Sequence, residues 1–270
     1  MTGIFLVIIF TQNIFSQDKE LQYFADQYRW WGFTIKPLLY QKAQLNYQYG
    51  SHTFKTKNMP ALNIGFEFNI NPHKEWSFKT GLLFGYEPTY YFDFTIKKED
   101  LLSYGFTEDL KTEPCTLEYL MPSLSVPISI ELKRMLTTKT FFNVNIGLKF
   151  MIFPPAGEAI TYSVIDETNN IGAEVFGSYA DTSNNQFYQT NLQMGAGVYF
   201  LFDKMMIQTN IVYNKSFKDL FQGEFQFDNL DVSEPTRGYY KVSGDYIGLS
   251  ATIYLKKRVK KNRKPLIFKR

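Results

Sequence analysis

Phe141-Phe142-Asn143-Val144-Asn145-Ile146-Gly147-Leu148-Lys149-Phe150-Met151-Ile152 decides how this chain folds. Taken at every second position it reads Phe142, Val144, Ile146, Leu148, Phe150 and Ile152, and the positions between include Asn143, Asn145, Gly147 and Lys149. A period of two sends successive side chains to opposite faces of a β-strand, so one face here is apolar and the other small and polar. Seven more segments repeat the pattern. Their apolar rows run Trp31 to Leu39, Leu62 to Ile70, Trp76 to Tyr86, Leu120 to Leu132, Leu192 to Phe202, Met205 to Tyr213 and Ile247 to Leu255. No position in these rows is Asp, Glu, Lys or Arg, although 20% of the chain is charged.

The intervening rows say which face meets what. A soluble barrel would turn its apolar row inward and show water a row rich in Lys, Glu, Asp and Arg. Here that row holds Gly32, Gly65, Gly81, Gly85, Gly147, Gly195, Gly197 and Gly248 among Asn63, Asn69, Asn143, Asn145, Asn191, Gln193, Ser250 and Thr252. Small residues and short amides suit the crowded axis of a narrow barrel. The sequence therefore predicts an all-β fold: an eight-stranded antiparallel up-and-down transmembrane β-barrel, apolar side out. Strands are expected over 30–40, 60–70, 75–87, 117–133, 140–152, 187–202, 204–214 and 244–255. Each is long enough to cross the hydrocarbon at a tilt. The connections alternate, with long ones at 41–59, 88–116, 153–186 and 215–243 and short ones between. Four long external loops and short periplasmic turns follow, with both termini periplasmic and the bacterial outer membrane as the location.

The ends and composition set the domain plan. Gly3 to Phe10 is a short apolar run followed by Thr11-Gln12-Asn13 and Ser16. It reads as a signal peptide over 1–16, although Met1-Thr2-Gly3 lacks the usual basic residue. A short periplasmic segment, 17–29, then leads to the barrel at 30–255 and a basic periplasmic tail at 256–270. Mean hydropathy is only −0.25, as expected when alternate residues alone touch lipid. Aromatics make up 18% of the chain, which suits interfacial belts; Trp30, Trp31, Trp76, Tyr86, Phe141, Phe142, Phe202 and Tyr213 are the candidates. Cys115 is the single cysteine, so no internal disulfide forms.

Charge is uneven along the chain. Net charge is +3, yet the tail alone carries nine cations, Lys256, Lys257, Arg258, Lys260, Lys261, Arg263, Lys264, Lys269 and Arg270, leaving −6 for the rest. Between Lys149 and Lys204 there is no Lys or Arg, while Glu158, Asp166, Glu167, Glu174 and Asp181 fall there. An acidic external loop and a basic tail result, the tail suited to anionic headgroups or an acidic partner. A signal peptide removes nucleic acid as a partner.

Two stretches resemble the outer-membrane β-barrel domain family that includes PorT-like proteins. Trp76-Ser77-Phe78-Lys79-Thr80-Gly81-Leu82-Leu83-Phe84 is similar to its third strand, with a Gly-Leu-Leu-aromatic step. Leu124-Ser125-Val126-Pro127-Ile128-Ser129-Ile130-Glu131-Leu132 is similar to its fourth, a Leu-x-Ile-Pro-Leu-x-Leu pattern. A mid-strand proline normally marks a bulge or an edge. The likeness departs from the family at Pro122, at Ser129 and in the basic tail. It implies an outer-membrane barrel, some of whose relatives serve secretion and gliding machinery, and it carries no catalytic residues.

Five charges fall in the inward row: Lys36, Glu67, Lys79, Glu131 and Lys149. In a narrow lumen they are expected to pair as a plug, with a proton or ion pathway as the alternative. The function expected is an integral outer-membrane protein without enzymatic activity, cofactor or metal, presenting loops for surface interaction or docking in an envelope complex. Its partners would be membrane lipid, lipopolysaccharide and envelope or secretion-complex proteins. A PorT-like accessory role is one alternative. A rim-site enzyme that transfers or hydrolyses acyl chains is another, built on His52 with Asp93, Asp181 or Asp231; the other histidine, His73, falls in a tight turn. Asp228-Asn229-Leu230-Asp231 is the nearest approach to a calcium loop, and Tyr90-Tyr91-Phe92 and Tyr239-Tyr240 are aromatic loop ends.

Overall fold

A computed structural model describes residues 27–50, 52–70, 75–97, 99–101, 105–106, 114–154, 157–182, 187–230 and 235–257. The expected signal peptide, His73, Asp231 and the tail beyond Lys257 lie outside these. Thirteen strands run in chain order: β1 (Tyr28–Tyr40), β2 (Gln44–Tyr49), β3 (Met59–Ile70), β4 (Trp76–Phe94), β5 (Cys115–Thr137), β6 (Thr140–Ile152) and β7 (Gly157–Asp166). They continue as β8 (Ile171–Thr182), β9 (Tyr188–Leu201), β10 (Met205–Ser216), β11 (Phe221–Phe227), β12 (Thr236–Val242) and β13 (Tyr246–Lys256). Eight of them close an antiparallel barrel in the order β1-β3-β4-β5-β6-β9-β10-β13. β13 returns to β1 through the pairs Gly32↔Tyr254 to Tyr40↔Tyr246, so the ring has no open edge.

Burial follows the two-residue period. Not one position of the eight charge-free rows is buried, and Phe78, Ile128, Ile146 and Leu249 stand 52%, 49%, 51% and 59% exposed. Trp76 and Tyr86 mark the two rims of this band on β4. Ten residues at about 3.3 Å each, tilted by roughly 40°, give a height near 25 Å. The outside of the barrel is thus an apolar belt of hydrocarbon thickness, ringed at one end by Trp30, Trp76, Phe142 and Phe202 and at the other by Tyr86, Tyr188 and Tyr213. Phe141 is the exception among the expected belt residues: it is 3% exposed and packs inside with Tyr199 and Tyr254. Its odd number places it on the inward row of β6.

The inward glycines permit close approach. A Cβ on Gly147 would come within 2.0 Å of the Ile128 carbonyl oxygen and 2.4 Å of Ser129 Cα. Only a residue without one lets β6 lie so close to β5. Pro127 neither bulges the sheet nor lies at an edge. The β4–β5 register is unbroken on either side of it, between Thr80↔Ile128 and Leu83↔Ser125; the ladder lapses over Gly81-Leu82 and Val126-Pro127, where proline has no N–H to give.

The long connections are where sequence and structure differ. They are not plain loops: β2, β7, β8, β11 and β12 form a second sheet, in the order β2-β12-β11-β8-β7. β4 and β5 continue past the rim and pair as far as Phe94↔Cys115. On β4 the alternation gives way to burial of every residue from Glu87 to Phe92, next to a register shift at Pro88/Tyr90. Here the strand gains cover on both faces. Phe54, Phe92, Phe94, Phe176, Phe225 and Phe227 form the core between the two layers, with Phe54 centred 4.7 Å from both Phe92 and Phe225. Tyr90, Phe92 and Tyr240 are therefore core residues rather than surface ones; of these aromatic ends only Tyr239 is exposed. β1 begins at Tyr28 and β13 ends at Lys256, and both described chain ends stand beside the short turns, with the Lys257 N–H donating to the Gln27 carbonyl.

Cys115 opens β5 within the core beside the second sheet and is 8% exposed. Burial, with the Asp93 carboxylate adding to it, pushes its thiol up from the ordinary range. A buried, protonated thiol is a poor nucleophile. In the folded, detergent-solubilised protein, Cys115 should resist a maleimide that labels the urea-unfolded chain to completion; equal labelling rates in the two states would contradict this packing.

Candidate functional site

Three layers fill the barrel interior. At the turn end Tyr28, Phe141, Tyr199, Leu201 and Tyr254 pack together, and the Tyr28 hydroxyl donates to the Phe202 carbonyl at 2.8 Å. Glu75 meets Arg134 at 2.5 Å beside them.

The middle layer is built on two carboxylates. Glu131 is wholly buried and accepts from the Tyr199 hydroxyl at 2.8 and 2.9 Å, from Gln208 Nε2 at 2.9 Å and from Ser77 Oγ at 3.1 Å. Glu67 pairs with Lys36 at 2.6 Å and Lys79 at 3.1 Å, and accepts from Thr252 Oγ1 at 3.2 Å. Lys79 joins the two carboxylates, lying 3.8 Å from Glu131 and donating to Gln208 Oε1 at 2.6 Å. Gln208 Nε2 also donates to Asn143 Oδ1 at 3.1 Å. All eight barrel strands supply a member: Lys36, Glu67, Lys79, Glu131, Asn143, Tyr199, Gln208 and Thr252 come from β1, β3, β4, β5, β6, β9, β10 and β13.

The third layer centres on Glu87. It accepts from Ser123 Oγ at 2.8 Å, from Lys149 Nζ at 3.4 Å and from the Tyr40 hydroxyl. Lys149 also lies over the Tyr246 ring, 5.1 Å from its centre, and Tyr246 accepts from Gln193 Nε2 at 2.9 Å. Beyond it, Met121, Met151, Phe153 and Leu220 pack together at the end of the lumen nearest the second sheet. Between the second and third layers a cavity of about 20 Å³ is bounded by Lys36, Glu67, Ser129, Gln193 and Asn210, enough for one water.

Four of the five inward charges, Lys36, Glu67, Lys79 and Glu131, meet in one network; Lys149 joins a separate one around Glu87. Glu87 itself, Lys133 and the inward tyrosines Tyr40, Tyr199, Tyr246 and Tyr254 escaped sequence reasoning. Their signal was present, since each keeps the parity of a residue already placed inside: Glu87 follows Gly85, Tyr199 follows Gly197 and Lys133 follows Glu131. Tail residues Lys256 and Lys257 leave the barrel at the turn end, and Arg258, Lys260, Lys261, Arg263 and Lys264 are not among the described residues.

The other candidates do not gather. His52 Nε2 lies 3.4 Å from Asp100 rather than near Asp93 or Asp181, its ring stands 5.9 Å from Phe227, and its N–H donates to Thr236 Oγ1. Asp93 is tied to the backbone of Lys55, and Asp181 lies on β8. Asp228 and Asn229 fix a turn against β8, their nitrogens donating to the Val175 and Glu174 carbonyls. Among the described residues no three His, Cys, Asp or Glu side chains converge on a point where a cation would sit.

No protein-family model matches this chain, and neither does any curated protein. Solved structures similar to it include the outer membrane protein OprG from Pseudomonas aeruginosa, at 9% identity and a TM-score of 0.42, covering 85% of this chain and 95% of that one. A major outer membrane protein from Thermus thermophilus is similar at 10% identity and a TM-score of 0.39, covering 85% and 100%. The deltaS2 mutant of TodX, a monoaromatic hydrocarbon channel, gives 11% and 0.33, covering 87% and 68%. The closed ring of this chain stands on its own strand ladders, independently of these partial superpositions.

Removing one member of a buried ionic network strands the others in a poor solvent. Glu67→Ala leaves Lys36 and Lys79 facing each other across the lumen and should lower the unfolding free energy in detergent by about 3–5 kcal/mol. Urea titration followed by the gel shift between folded and unfolded barrel would measure it, and an unchanged midpoint would refute the pairing.

Proposed function

We propose that this chain is an integral protein of the bacterial outer membrane, without enzymatic activity, whose barrel anchors a displayed β-module rather than conducting solutes. The filled lumen carries this reading: three stacked layers of side chains, one aromatic and two ionic, occupy it, and the cavity between the two ionic layers measures only about 20 Å³. A plugged eight-stranded barrel offers no path for hydrated ions. The short turns and both chain ends would face the periplasm, and the five-stranded sheet the outside, where lipopolysaccharide and surface partners meet it. In planar bilayers the purified protein should give no conductance steps above the lipid baseline. Regular, reproducible openings would sink the anchor reading.

A finer reading within the same class is an accessory part of a secretion or gliding apparatus, as the PorT-like resemblance implies. What favours it is that the two resembling segments face one another across the β4–β5 ladder. Gly81 stands opposite Pro127, and a Cβ there would lie 3.4 Å from the proline ring and 2.7 Å from the Phe66 carbonyl oxygen. The glycine of one segment thus lies against the proline of the other, while the Phe66 carbonyl is what excludes a side chain there. The tail would then be the periplasmic contact. Gentle detergent extraction and affinity capture should recover envelope proteins with the full chain and lose them on deletion of 256–270; identical recoveries would leave the tail without that role.

A further inference from the structure

The outward face of the five-stranded sheet carries more than the core beneath it requires. Two open cavities of about 750 and 290 Å³ lie side by side on it, and both are bordered by Tyr179, Glu224 and Tyr239. The ladders explain the sharing. Glu224 of β11 pairs with Tyr179 of β8 on one side and with Tyr239 of β12 on the other, so the three form one row. Strands about 4.8 Å apart put the two tyrosines roughly 10 Å from each other, flanking the carboxylate. Tyr179 is 61% exposed and Tyr239 38%. Next along the strands comes the row Thr161–Gly177–Gln226–Arg237, and on the other side Asp181–Gln222–Lys241. The two cavities therefore make one groove parallel to the strands. Its floor is low at Gly177, where a Cβ would meet nothing nearer than a Glu174 carboxylate oxygen at 3.4 Å.

The chemistry of the groove selects its occupant. A protein partner wants an apolar centre depleted of charge, whereas the rows beside the tyrosines are glycine, amide and ionised side chains. Carboxylates, Glu174 and Asp181 of β8 and Glu224 of β11, lie beside the cations Arg237 and Lys241 of β12, so neither a polyanion nor an anionic lipid surface is matched by charge. Hydroxyl groups donate and accept at once and satisfy carboxylate, amide and guanidinium alike. Tyrosine offers an apolar ring face with a polar tip. A chain of sugar rings combines hydroxyl edges with C–H faces and has the linear form of the groove. We propose that this groove binds a linear glycan, its ring faces against Tyr179 and Tyr239 and its hydroxyls on Glu224, Gln226 and Arg237. The inference rests on the reading that the sheet is displayed outside the membrane.

The test uses the full chain in detergent against three immobilised linear uncharged glycans: a β-glucan, a β-mannan and a chitooligosaccharide. Saturable binding to at least one is expected, weakened about tenfold or more by Tyr179→Ala or Tyr239→Ala, as for other aromatic anchors. Tyr179→Phe and Tyr239→Phe keep the rings and should retain most of it. Both side chains point away from the core, and the heat-dependent gel shift of each variant reports that the barrel is intact. No binding above empty micelles to any of the three, or binding unchanged in the double alanine variant, would overturn the proposal. Carbonate extraction of cell membranes reads the anchor separately: a chain released into the aqueous phase fails as a membrane barrel, whatever it binds.

Discussion

In hydrocarbon a backbone N–H or C=O without a partner costs several kcal/mol, and no water is present to relieve it. A sheet meets that demand in lipid only by closing on itself. The pairing of β13 with β1 is therefore the contact on which the rest of the barrel depends. Closure with eight strands makes a narrow ring, and the narrow ring dictates its contents. Inward side chains converge, so β5 and β6 approach where Gly147 has no Cβ, and β3 and β4 approach where Gly81 has none.

The same narrowness explains the ionic interior. Inward charges have no room to hydrate, so each needs a partner fixed in place. Glu131 is surrounded by tyrosine, glutamine, serine and lysine donors from other strands, and Glu67 holds two lysines. Because every barrel strand contributes to this layer, a slip of one strand by one residue would turn its lumen member out into lipid. The network thus ties strand register to charge pairing, and in doing so it fills the path that a pore would need.

Beyond the rim the constraint relaxes and the architecture changes. Water satisfies open edges there, so the second sheet need not close. Its stability comes instead from an aromatic core between it and the β4–β5 extension, with Phe54, Phe92, Phe94, Phe176, Phe225 and Phe227 in mutual edge or tilted contact. Such contacts add to the large apolar area each ring buries. Because β4 and β5 run on in chain from barrel to module, the second sheet packs on an extension of the barrel itself.

The sequence by itself determined the barrel: strand positions, their number and which face meets lipid follow from period-two rows in which no charge occurs, because lipid tolerates none. It also placed Lys36, Glu67, Lys79, Glu131 and Lys149 inside, since parity alone decides that. Parity does not say which inward residues meet. Strand tilt and ring closure bring together residues from distant strands, so that Glu131 finds Tyr199 and Gln208 while Lys149 finds Glu87. The second sheet was half legible, for Phe221, Phe225 and Phe227 alternate as a strand should. Yet short strands joined across the chain as β2-β12-β11-β8-β7 are assembled by non-local pairing. The row Tyr179–Glu224–Tyr239 exists only because β8, β11 and β12 lie side by side, and no local pattern encodes that neighbourhood.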